Sequence, residues 1–133
     1  MRVLFVAIGG GIGTYVRYVL SNISFENIHP FPIQTFFINI IGVLFLSLMI
    51  SFFHSTSFIE SKCFQGISVG FLGSFTTFSS FSYEFLYLIE QNYIFIAFVY
   101  LFGSLVFGIV FGLFGIKLGE KLYHHLSLKE GNQ

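Results

Sequence analysis

The feature that most constrains this chain is GFLGSFTTFSSF at residues 70–81, set inside an uncharged run covering 65–83. A run of about 20 residues is long enough to cross the hydrocarbon core of a bilayer. This one alternates phenylalanine with hydroxyl residues and carries glycines that favour a break in the helix. A hydroxyl without a partner in hydrocarbon costs on the order of 2–7 kcal/mol. Non-helical backbone at that depth is tolerated only where protein or a water-filled path surrounds it. The segment therefore reads as the lining of something that polar species pass through or bind in.

The rest of the composition agrees with a bilayer as solvent. The 133 residues are 55% hydrophobic and 9% charged, with 21 phenylalanines, more than a core of this size needs. Lipid is the destination expected for many of those rings. Formal net charge is zero, and no basic run points to nucleic acid. The single cysteine, Cys63, excludes an internal disulfide and reads as an ordinary thiol. The start resembles a signal peptide, but glycines 9–11 interrupt the apolar run and Arg17 stands where cleavage would fall, so a retained helix is expected.

Four apolar segments emerge, approximately 3–21, 33–53, 65–89 and 93–118, within a membrane domain of residues 1–122. Residues 123–133 form a polar tail. The expected fold is all-α, four transmembrane helices with the third broken near residues 73–77. Small residues four apart, Gly9 and Gly13, Ser104, Gly108 and Gly112, and Gly115 and Gly119, mark close helix crossings. So many small faces on short helices suggest an oligomer.

Little here supports catalysis. His29, His54, His124 and His125 lie in loops or the tail, and of Glu26, Glu60, Glu84, Glu90, Glu120 and Glu130 only Glu84 falls well within an apolar segment. No nucleophile has a base at useful spacing, so an enzyme is not expected. Asn39 lies inside the second segment, where its amide must be hydrogen-bonded, either across helices or to an anion. Arg17, inside the first segment, either draws anions to a vestibule or snorkels to the interface. Phe78 and Phe81 share one helical face, with Ser79 and Ser80 between them and Thr76 and Thr77 a turn earlier. Ring edges carry positive potential and hydroxyls are neutral donors, which suits a weakly held anion. Carbonyls freed at a helix break suit a small cation. The plainer alternative is aromatic packing with hydroxyls bonded back to i−4 carbonyls.

GGGIGTYVRY at 9–18, NIIG at 39–42 and the 70–81 motif together resemble the Fluc fluoride channels, also called the CrcB family, over nearly the whole chain. The last motif is the specific one. The resemblance implies a passive, multi-pass fluoride channel of the plasma membrane, built from two antiparallel subunits with two pores at their interface. Phe78, Phe81 and Asn39 fall on the family's pore positions. Ser80 stands where the family commonly has threonine. Tyr100 and Ser104 match a polar track on the fourth helix, although Gly108 falls where some members carry a further serine. Gly73 and Thr76 match a break whose backbone carbonyls hold a structural Na⁺. Such a channel exports trapped fluoride without a pump, because an inside-negative potential contributes about 2.3 kcal/mol per charge per 100 mV.

Two competing readings are a proton-coupled multidrug exporter of four helices, which needs a membrane carboxylate with only Glu84 to offer, and a non-conducting subunit of a paired channel. Topology bears on the partner. Arg2, Lys62, Lys117, Lys121 and Lys129 fall on one side of four spans, while the first and third loops hold no Lys or Arg. That bias favours both termini in the cytoplasm and a partner that is an oppositely oriented paralogue, rather than a second copy inserted the other way.

Overall fold

The computed structural model describes residues 2–23 and 30–130. Glu26 and His29 of the first loop, and residues 131–133 of the tail, lie outside the described residues. The described chain is helical, without strands: α1 (Arg2–Ser21), α2 (Ile33–Phe53), a 3₁₀ turn (Ser57–Glu60), α3 (Lys62–Gln65), a π-helical stretch (Gly66–Leu72), α4 (Gly73–Phe75), α5 (Phe78–Glu90) and α6 (Ile94–Glu130). Three of these, α1, α2 and the 94–127 part of α6, are long and apolar enough to cross a membrane. Most large apolar side chains face outward, Phe95 at 80% exposure among them, which suits hydrocarbon rather than water.

Two glycine-lined crossings hold the bundle. Gly9 and Gly13 of α1 lie against the π-helical stretch so closely that an added side-chain carbon would overlap the carbonyls of Gly66 and Phe71. Gly66 and Gly70 return the contact against Phe5 and Val6. On the other side, a carbon at Gly115 would stand 2.7 Å from the Leu44 carbonyl of α2, and one at Gly119 would stand 2.6 Å from that of Leu48. Gly112 sits more loosely against Val43, and Gly108 meets nothing within 4 Å. The glycine spacing thus marks helix approach along the C-terminal half of α6 but not at Gly108.

Those glycines do not break the third segment. Among the described residues no glycine has positive φ, and Gly73 is helical at φ −65°, ψ −32°. The two residues that leave the helix are Thr76 (ψ 153°) and Thr77 (φ −145°, ψ 125°). Of the motif's glycines, Gly70 instead lets α1 approach, while a carbon at Gly73 would meet only the Ser68 carbonyl at 3.9 Å. The α5–α6 connection closes by a Schellman motif on Asn92, at φ 64°: Asn92 N–H bonds the Ile89 carbonyl at 3.0 Å and Tyr93 N–H the Leu88 carbonyl at 2.8 Å. Leu88, Ala97 and Tyr100 form the fully buried centre, with Phe31, Phe36, Phe81 and Phe85 around it. The last helix continues past 118, so the polar tail as far as Glu130 is the end of α6 rather than a separate element.

Candidate functional site

The site is built around the Thr76–Thr77 break. Ending a helix leaves carbonyls before the break and N–H groups after it without their i→i−4 partners. Side chains take over that role. Asn39 of α2 pairs with Thr77 in both directions, its Nδ2 donating to the Thr77 carbonyl at 3.0 Å while Thr77 N–H donates to its Oδ1 at 2.8 Å. Arg17 of α1 donates through Nε to the Ser74 carbonyl at 3.1 Å. Thr77 then caps α5, its Oγ1 accepting from Ser80 N–H at 3.1 Å. Neither sequence reading of Arg17 anticipated this use: the guanidinium braces the end of α4 from a half-buried position.

These diversions have a consequence for two other carbonyls. In an unbroken helix Gly73 C=O would accept from Thr77 N–H, and Thr76 C=O from Ser80 N–H. Both donors are engaged elsewhere, by Asn39 and by the Thr77 hydroxyl. Two main-chain oxygens are thereby left without their helical donors, and carbonyls freed in this way are groups that could hold a hard cation such as Na⁺.

Beside the break runs an open groove of about 480 Å³, lined by Asn39, Thr76, Thr77, Phe78, Phe81 and Ser104 with Val43, Leu46, Leu101 and Leu105. The Phe78 and Phe81 rings stand 6.0 Å apart, tilted by 31°, and Phe78 is 79% exposed. The Ser104 hydroxyl oxygen is buried with no hydrogen-bond partner. An orphaned buried hydroxyl in a native structure calls for an explanation. The lining therefore combines neutral donors and ring edges without a fixed charge.

The other hydroxyls divide. Thr76 bonds back to the Leu72 carbonyl at 3.0 Å, as the plainer reading allowed. Ser79 and Ser80 each approach the Thr77 hydroxyl at 3.2 Å and do not line the groove. Tyr100 stands behind Phe81, ring centroids 4.9 Å apart, and gives its hydroxyl hydrogen to Glu84 Oε2 at 2.7 Å. Thr35, which sequence reasoning missed, donates to Glu84 Oε1 at 2.6 Å. The available signal was its place one turn before Asn39 on the same face of α2. A larger cleft of about 650 Å³ lies between the ends of α2 and α6, lined by Ser51, His54, Glu120, Tyr123 and His124 among others. Along α2 it begins at Ser47, about 12 Å from Asn39 at 1.5 Å per residue, and no metal-binding cluster forms among the described residues.

A family model described as CrcB-like protein, Camphor Resistance (CrcB), matches residues 4–116, which takes in every residue of the groove and the break. The chain belongs to the CrcB family. Among its relatives is a protein from Staphylococcus saprophyticus named fluoride-specific ion channel FluC 2, 36% identical over 128 residues, 92% of this chain and 99% of the relative. One from Bacillus cereus, fluoride-specific ion channel FluC 1, is 38% identical over 130 residues, 97% of this chain and 90% of the relative. Another FluC 2, from Staphylococcus haemolyticus, is 38% identical over 123 residues, 90% and 97% of the two chains. Family membership and the apolar helices together make this a multi-pass membrane protein.

Proposed function

We propose that this protein is a fluoride-selective channel of the plasma membrane that lets cytoplasmic fluoride leave passively. The observation that carries the reading is the charge-free groove at the broken helix, where Phe78, Phe81 and Asn39 adjoin a buried hydroxyl, Ser104, that has no partner. Neutral donors replace part of a hydration shell yet release the ion, whereas a lysine there would hold it. The relatives' names supply the ion. The test is efflux from liposomes holding the purified protein, loaded in turn with fluoride and chloride. Fluoride is expected to leave and chloride to stay; comparable rates would sink the assignment.

The working unit is an antiparallel pair of four-span subunits, the third span being the broken segment from α3 to α5. Phe78 and Ser79 are exposed on a single chain, and a hydroxyl such as Ser79 at bilayer depth needs protein or water beside it, which a second subunit supplies. The five cations on one side of the spans favour both termini in the cytoplasm, so in its cell this subunit pairs with an oppositely oriented paralogue. Terminal reporter fusions decide the point: a C-terminal tag found equally on both faces of the membrane would restore the homodimer.

The carbonyls of Gly73 and Thr76 are the groups that hold a structural Na⁺ at the centre of the pair. When bound, the ion supplies positive charge between the two broken helices. Because the ligands are main-chain oxygens, Thr76→Val is expected to keep the effect. Thermal stability of the purified protein should rise in Na⁺ relative to N-methylglucamine, in the wild type and in Thr76→Val alike. Equal stability in the two salts would refute the site.

A further inference from the structure

The cleft of about 650 Å³ between the ends of α2 and α6 continues the lining of the groove. Residues four apart stack on one helix face, and two such rows run from groove to cleft. On α2 the row is Asn39, Val43, Ser47 and Ser51, reaching Ser55 just past the helix end. Asn39 and Val43 line the groove, and the three serines line the cleft. On α6 the row is Ser104, Gly108, Gly112, Ile116, Glu120 and His124. Ser104 lines the groove, while Ile116, Glu120 and His124 line the cleft. The two residues between them carry no side chain. A carbon added at Gly108 would meet nothing within 4 Å, and one at Gly112 would meet only Val43, at 3.3 Å. Helix approach does not explain a glycine that packs against nothing; an open junction between the two cavities does.

We propose that the cleft is the cytoplasmic mouth of the fluoride path, joined to the groove past Gly108, and that His54, His124 and Glu120 set how much of the ion it gathers. The inference rests on the fluoride-channel reading. The cleft lies at the membrane face that carries Arg2, Lys62 and Lys117, cytoplasmic in the topology proposed above. It is wide enough for an ion that still keeps water, as suits a point about 12 Å short of Asn39. Only α2, the residues just after it, and α6 wall it. Its ionisable lining is His54 from the first and Glu120, Tyr123 and His124 from the last. Glu60 of the 3₁₀ turn packed against α2, Lys62 of α3, and Lys117 and Lys121 of α6 lie outside that lining. Histidine as a residue type changes charge across about pH 5–8. With both imidazoles neutral the lining offers an anion one carboxylate and repels it. With both protonated the balance reverses and the cleft draws the anion in. Fluoride that enters as the neutral acid releases one proton for each ion, so the mouth gains its attraction under the load it must clear.

The test is initial efflux from liposomes as a function of internal fluoride. The pH is matched on both faces, so that insertion direction does not matter, and protein-free liposomes are subtracted for passage of the neutral acid. Between about pH 7.5 and about pH 5.5 the half-saturating fluoride concentration of the wild type is expected to fall several-fold, with a smaller change in maximal rate. The double variant His54→Gln with His124→Gln should lose that pH dependence. Glu120→Gln should lower half-saturation already at the higher pH. Inert salt near about 1 M, which screens charges beyond about 3 Å, should erase both shifts. All three side chains are exposed, so their exchange leaves the packing of the chain intact. Gly108→Leu tests the junction: a leucine there lies back over the turn that holds Ser104 and should cut the maximal rate several-fold in protein that still assembles. Half-saturation indifferent to pH and to the charge exchanges, a pH shift that survives them, or full-rate efflux in Gly108→Leu overturns the proposal. If the leucine variant does not assemble, the charge variants decide the matter. Wild-type protein that carries no fluoride overturns the channel reading itself, before any variant is measured.

Discussion

Replacing Phe78 or Phe81 by isoleucine is expected to abolish fluoride efflux while the protein still assembles. Isoleucine keeps an apolar branched shape but has no polarised ring edge to present to an anion. The two positions separate function from stability differently. Phe78 is 79% exposed on the single chain, so its loss removes little intramolecular packing. Phe81 rests on Tyr100 at 4.9 Å beside the buried centre, and a swap of similar volume there costs under about 1.5 kcal/mol. Efflux followed with a fluoride electrode, paired with size-exclusion profiles, checks both. Wild-type efflux in both variants would place the pathway elsewhere.

Asn39→Asp is expected to fail for a reason that geometry supplies and composition does not. Thr77 N–H can still donate to one oxygen of the new side chain, but the second bond is lost: a carboxylate oxygen would face the Thr77 carbonyl where Nδ2 of Asn39 now donates at 3.0 Å. An acceptor left against an acceptor in a partly buried site costs about 1–3 kcal/mol. The negative charge also stands in the groove itself. Both flux and thermal stability should drop, and a variant that melts and conducts like the wild type would show that the clamp is dispensable.

Hydropathy alone located most of the helices, and the second segment matches α2 from 33 to 53. It misplaced the end of α6, because apolar character stops where the helix does not. The break was legible in region but not in cause. Glycine suits both a helix interruption and a close helix approach, and nothing local in a sequence distinguishes the two. Here Gly66 and Gly70 serve approach, while two threonines make the break, held by residues on α1 and α2. Asn39 was legible as an amide in need of a partner, yet that partner is 38 positions away. Thr35 and Glu84 were harder still. A threonine near the start of an apolar helix is unremarkable until the fold brings a carboxylate 49 positions distant against it.

The reciprocal bonding of Asn39 and Thr77 makes angular phase, and not only residue type, part of what α2 must preserve. Each added residue turns the following helix face by about 100° and advances it about 1.5 Å. One alanine inserted between Thr35 and Asn39 would leave the span's hydropathy almost untouched. It would nonetheless point the amide away from the break while Thr35 stayed against Glu84, uncoupling the clamp from the hydroxyl pair. The single helical turn from Thr35 to Asn39 therefore acts as a fixed gauge between the hydroxyl pair at Glu84 and the amide that lines the groove. Within that interval α2 has room for exchange of side chains and none for a change of length.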